Sequence, residues 1–254
     1  MAEAAGLTLA IETSNPNAPG TPGVALGVRT DGVTELIATE PLGEGERHDD
    51  LLMPAIERLF RSQGRSPVEL ERVAVSAGPG GYTGLRIATA AANLIALTTG
   101  AMVARVPSAC VVAHALPRPG PMDPTRGPAK GPMDPTHDSK AETTTHVCLA
   151  CKGSSAWVTR FDAGGAPIDL GALRSAEDLG LRAGDRVVGD RFLPEPFRAE
   201  AARVGASVIE PMLEPAACLA LAWSVDGHEA GSLTPLYGRE AEAVTRWREL
   251  HGGP

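Results

Sequence analysis

The segment Ser76-Ala-Gly-Pro-Gly-Gly-Tyr-Thr-Gly-Leu-Arg86, with four glycines and a proline, limits what this chain can fold into. Before it, Val73-Ala-Val75 reads as the end of a buried strand; after it, residues 83–99 read as a helix that stops at Gly100. Thr83 is the expected N-cap, and Gly100 suits a left-handed C′ position. A strand, a glycine turn and a helix can present backbone N–H groups to an anion. The same small residues also allow a helix to pack very closely. Positions 84, 88, 91, 95 and 99 read Gly, Ala, Ala, Ile, Thr, a narrow face that another element can approach. That face fits the chain's own sheet, and it equally fits a second subunit.

Composition narrows the function classes. The 254 residues suffice for one large domain or two small ones. Aromatics are 4%, so the core must rest on Ala, Val and Leu. The net charge is −8, and the acidic excess is shared: residues 1–108 carry 8 basic and 12 acidic groups, residues 109–254 carry 15 and 19. A chain that grips phosphates by itself should show a basic patch, and none is written here. Cys110, Cys148, Cys151 and Cys218 form no disulfide framework, and the first residues read as no signal peptide. A reducing cytoplasm is the expected setting. Residues 87–104 are uncharged, but three threonines, Asn93 and Gly100 make them too polar for a membrane span.

Leu7 to Ile11, Val24 to Val28 and Thr34 to Thr39 read as strands of an antiparallel meander, with Asp31-Gly32 as a hairpin turn. Residues 48–63 read as an amphipathic helix with Leu51, Leu52, Ala55, Ile56, Leu59 and Phe60 on one face. Strand 101–106 and helix 108–116 follow. Residues 117–146 differ in kind: Gly-Pro-Met-Asp-Pro-Thr occurs at 120–125 and again at 131–136, without apolar periodicity. They read as a disordered insertion. Strands then resume at 147–151, 156–161, 185–189 and 206–209, with a helix at 214–224. The expected fold class is α/β with two lobes of similar plan. The N-terminal lobe spans 1–108, and the C-terminal lobe spans 109–116 and 147–254.

No complete catalytic set can be assembled. The glycine turn is not a P-loop, and no nucleophile elbow or His-Glu-x-x-His helix is present. Cys148-x-x-Cys151 lacks a second ligand pair, and on a regular strand its two cysteines would point to opposite faces. No metal site is expected. Glu12-Thr13-Ser14, at the end of the first strand, together with Gly78, Gly80 and Gly81, are candidate nucleotide-facing residues.

Three segments resemble the TsaB (YeaZ) family: Leu9-Ala-Ile-Glu-Thr-Ser14, His48-Asp-Asp-Leu-Leu-Met-Pro54 and, most specifically, Gly78-Pro-Gly-Gly-Tyr-Thr-Gly-Leu-Arg-Ile87. Leu236-Tyr-Gly-Arg-Glu-Ala-Glu-Ala-Val244 is similar to the family's C-terminal Tyr-x-Arg segment. The resemblance implies two ribonuclease-H-like lobes of the actin/Hsp70/sugar-kinase type. It implies a cytoplasmic, non-catalytic scaffold subunit, a pseudoenzyme, for N6-threonylcarbamoyladenosine formation at tRNA position 37. The catalytic paralogue TsaD and the ATPase TsaE are the implied partners, with a homodimer in TsaD's absence and tRNA reached only through the complex. No cofactor is implied for this chain alone; ATP or ADP and Mg²⁺ belong to the complex. TsaD-type proteins carry a His-x-x-x-His helix, where this chain has Ser108-Ala-Cys-Val-Val-Ala-His114. The implied interface uses the two N-lobe helices, with Leu52, Ile56, Leu59, Phe60, Leu85, Ala88, Ala91, Ala92 and Ile95 as candidates. The alternative is a nucleotide-binding enzyme of the sugar-kinase type acting alone. A peptidase is a third reading, opposed by the missing metal pair and nucleophile.

Overall fold

The computed structural model describes residues 6–15, 22–42, 48–117, 143–240 and 242–252. The expected Pro-rich insertion lies almost wholly outside the described residues.

The chain builds one strand plan twice. Strands β1 (Gly6–Glu12), β2 (Gly23–Thr30) and β3 (Val33–Pro41) form the meander, with Leu9 opposite Leu26. Asp31 and Gly32 both have positive φ (52° and 80°), which matches the right-handed twist of the hairpin arms. Helix α1 (His48–Ser62), strand β4 (Leu70–Ser76), helix α2 (Tyr82–Thr99) and strand β5 (Met102–Val106) follow, β4 running parallel to both β1 and β5. After helix α3 (Ser108–Ala115), strands β6 (Thr145–Lys152), β7 (Ser155–Phe161) and β8 (Ala172–Ser175) make a second meander. Strand β9 (Arg186–Val188), helix α4 (Glu195–Val204) and strand β10 (Ser207–Ile209) complete the second sheet. Its order is β10-β9-β6-β7-β8, and the first sheet contains β5-β4-β1-β2-β3. The two orders correspond strand for strand, so the expected pair of similar α/β lobes is present.

The C-terminal segment does not stay in the second lobe. Helix α5 (Pro215–Leu221) packs on β1, β2 and β3, and strand β11 (Gly227–His228) pairs antiparallel with β5 at the edge of the first sheet. A boundary that assigns all of 147–254 to the C-terminal lobe is therefore corrected: 215–228 belongs with the first sheet. Helix α6 (Glu242–His251) ends the described chain. The insertion is also shorter than expected, since β6 already opens at Thr145.

Alanine makes the packing possible. Ala10, Ala25, Ala74 and Ala104 line the first sheet's inner face, and α3 and α5 lie against it in one cluster with Val147, Leu149 and Phe161 from the second sheet. The sheet's other face is covered by α1 and α2, and the second sheet's outer face by α4. Short side chains let the helices approach at close-packed density despite the scarcity of aromatics.

Several local expectations change. Helix α2 starts one residue early, with Gly81 at the N-cap, so Thr83 sits inside its first turn. Its other end is as expected: Gly100 is left-handed (φ 82°) and donates its N–H to Ala96 O at 2.8 Å. Helix α4 has no counterpart in the sequence reading, because only Phe197 and Ala201 of its ten residues are fully buried and its opening Pro194-Glu-Pro196 reads as a turn. Cys148 and Cys151 do not face opposite ways. Both pack against the same cluster, since Ala150 adopts a positive φ (49°) where the β6–β7 register breaks.

Candidate functional site

The glycine turn closes on its own protein. Between β4 and α2 the chain makes a cis Gly78–Pro79 bond, with Gly78 at φ 111°. Ala77 donates to Val106 O (2.9 Å), and Leu236 donates to Ala77 O (2.7 Å). The Gly78 N–H reaches Ser108 Oγ at 3.0 Å, and the Gly81 N–H reaches Ser14 O at 2.5 Å. A Cβ on Gly80 would overlap the Ser14 carbonyl oxygen, and one on Gly84 would overlap that of Thr13. Thr13 Oγ1 in turn donates to Gly84 O at 3.1 Å. The glycines are therefore required for contact between the turn and the end of β1. Gly80→Ala is expected to lower stability by about 1–3 kcal/mol, because backbone must move. An unchanged urea midpoint would refute this.

The candidate nucleotide-facing residues are brought together, but they point inward. Glu12, Thr13, Ser14 and Gly78 are buried, and Gly80 and Gly81 are half-buried. Glu12 Oε1 accepts from the backbone N–H and the hydroxyl of Ser14, both at 2.7 Å. A buried hydroxyl chain continues from Ser14 to Ser76 (3.3 Å) and from Ser76 to Ser108 (2.8 Å). Glu12 Oε2 has no partner among the described residues. Burial raises the Glu12 carboxyl to a pKa of about 7, a rise opposed in part by the nearby Ser76 hydroxyl and by the Ser14 hydroxyl and N–H.

The proposed interface residues need correction. Leu52, Ile56, Leu59, Phe60, Leu85, Ala88, Ala92 and Ile95 are all buried inside this chain, and Ala91 is half-buried against the same core. These are the faces with which α1 and α2 cover their own sheet. The outward faces carry other apolar residues: Met53 is 48% exposed, Tyr82 48%, Leu94 57% and Leu97 64%. On α2 the exposed positions 83, 86, 90, 94 and 97 follow helical spacing. At the helix start, Tyr82 lies 5.1 Å from Tyr237 between ring centroids, and the Arg86 guanidinium sits 4.8 Å from the Tyr82 ring. Sequence reasoning missed this strip because α2 is apolar nearly all round, so periodicity could not distinguish the two faces.

The C-terminal segment is tied to the second lobe by Arg239. Its Nε donates to Ala150 O at 3.2 Å, and its Nη2 donates to Ser155 O at 2.7 Å. It thereby satisfies carbonyls at the irregular β6–β7 end. Among the described residues no group of His, Cys, Asp or Glu could hold a metal ion, and His114 lies exposed in the last turn of α3. No helix among the described residues is long and apolar enough to cross a membrane.

Residues 40–124, from the end of β3 through α3, match the sequence model of the family described as TsaD: tRNA N6-adenosine threonylcarbamoyltransferase. That span contains α1, the glycine turn and α2. The match covers about a third of the chain. Its fold is that of YeaZ from Pseudomonas aeruginosa, with a TM-score of 0.61 and 16% identity, covering 91% of this chain and 99% of that one. A second structure, described as "an uncharacterized protein with similarity to peptidase YEAZ from Pseudomonas aeruginosa", gives a TM-score of 0.62 at 16% identity, over 92% of this chain and 100% of that one. No curated protein matches the chain. The resemblance to the TsaB (YeaZ) family, drawn from the glycine turn and its neighbours, is thus supported by the family segment and by the whole fold.

Proposed function

We propose that this chain is a TsaB-type subunit without a catalytic site of its own, pairing with a TsaD-type subunit in tRNA threonylcarbamoyladenosine formation. The observation that carries this reading is the exposed apolar pair Leu94 and Leu97 on α2, together with the exposed Met53 on α1. Large apolar side chains left exposed one turn apart on a surface helix mark an association surface. The strip lies within the TsaD-family segment, on a fold shared with YeaZ. The net charge of −8 suits a subunit that reaches tRNA through its partner.

Co-expression with a TsaD-type subunit tests the reading. The two are expected to co-elute, and modification of tRNA by the TsaD-type and TsaE-type proteins is expected to depend on this chain. Separate elution combined with full modification in its absence would refute it.

The alternative, an enzyme that binds nucleotide alone, has less support. Two N–H groups of the glycine turn already donate within the chain, and Glu12 is buried. Calorimetry with ATP and Mg²⁺ separates the two: micromolar binding by the isolated chain would favour the enzyme.

A further inference from the structure

One cavity lies where the lobes meet, and no α2 residue lines it. It holds about 360 Å³ and runs between α3, β7, the 163–170 loop and the end of α5. That volume is in the range of small-molecule sites. Its walls are mainly apolar, with Ala109 and Ala113 of α3, Phe161 of β7, Leu221 at the end of α5 and Val225 just beyond it. Alanine on α3 is what leaves the space open, because a larger residue at either position would fill it.

The lining carries one carboxylate and one guanidinium, Asp169 and Arg186. The Asp169 carboxylate already accepts from Arg160 Nε at 2.8 Å and Arg174 Nη2 at 3.2 Å. Arg186 also lines the wall. Its Nε donates to Thr145 Oγ1 at 3.1 Å and its Nη1 to Pro117 O at 3.4 Å. A guanidinium has five N–H donors, so the fork is held in place with donors remaining. The other polar linings include Cys110, whose thiol burial pushes up and so keeps neutral, the Thr159 and Ser224 hydroxyls, the Trp157 indole and the His114 ring. Asp169 is thus already answered by Arg160 and Arg174, and Arg186 is the cationic group of the wall.

We propose that this cavity binds a small apolar monocarboxylate, its chain lying between α3 and β7 and its carboxylate on Arg186. Apolar walls supply affinity without direction, and one charge-assisted contact sets orientation. This site does not depend on pairing through α2.

The test uses octanoate, hexanoate and 1-octanol with the full chain. Octanoate is expected to bind, followed by calorimetry and by the fluorescence of Trp157, whose side chain lines the wall. Affinity should rise roughly fourfold per methylene from hexanoate to octanoate. Octanol should bind about tenfold more weakly than octanoate, and Arg186→Gln should remove that difference. Ala113→Phe, which fills the cavity, should abolish binding of both. In the unaltered chain, bound octanoate should slow alkylation of Cys110 by iodoacetamide, mapped by peptide mass spectrometry. No binding at millimolar octanoate, or binding that leaves Cys110 alkylation unchanged, would overturn the proposal.

Discussion

Glutamate in place of Ala88 is expected to unfold the protein, whereas glutamate in place of Leu94 should leave it folded but unable to pair. The two positions lie on the same helix and differ in the face they occupy. Ala88 is fully buried in the cluster that α1 and α2 form over the first sheet. A carboxylate there has no water and no cation to meet, which costs several kcal/mol, on the order of the 5–15 kcal/mol that holds a domain together. Leu94 is 57% exposed, and a surface exchange usually changes stability by no more than about 0.5 kcal/mol. At the centre of an interface the same exchange should weaken association at least ~30-fold. Circular dichroism melts and co-elution with a TsaD-type subunit check both arms. If folded Leu94→Glu protein, or the double variant with Leu97→Glu, still co-elutes, the strip is not the pairing surface. If Ala88→Glu melts like the unaltered chain, α2 has been placed with the wrong face inward.

Stability is expected to fall as pH rises through the range set by Glu12. Its carboxyl titrates near 7 in the folded protein against about 4.5 when unfolded. The folded state therefore retains a proton that the unfolded state has lost. Below about 4.5 both forms are protonated and the penalty vanishes. It grows from there and levels off above about 7, where it reaches roughly 3 kcal/mol at about 1.4 kcal/mol per pKa unit. Burial is the dominant cause, and the unpartnered Oε2 leaves the ionised form only half served by Ser14. Glu12→Gln removes the titration and should remove that slope. His146 acts in the opposite sense: burial lowers its pKa, so its contribution rises with pH. The variant-minus-parent difference in urea midpoint between about pH 5 and pH 8 isolates Glu12. An identical slope in both proteins would show that Glu12 is not the group responsible.

What could be read in advance follows from how local each signal is. Buried strands such as β1 and β4 announce themselves as short apolar runs, and Asp31-Gly32 fixes its hairpin through φ alone. The amphipathic α1 also showed its buried face in the spacing of Leu52, Ile56 and Leu59. That same clarity misled the choice of interface: a leucine-rich face is what a helix gives its own core, and the residues available to a partner are the exceptions on the other side. The duplicated sheet order was only suggested by strands recurring on both sides of the insertion.

The chain alone determined most strands, helices α1 to α3, the glycine turn and the resemblance they carry, because those depend on neighbours within a few residues. Tertiary structure decided which face of α2 meets water, that α5 and β11 return to the first sheet, and that Glu12 is enclosed with one oxygen unserved. Each of these is settled by contacts between residues distant along the chain, such as Ser108 on Gly78 or Arg239 on Ala150. Burial is a property of such contacts, and no single segment encodes it.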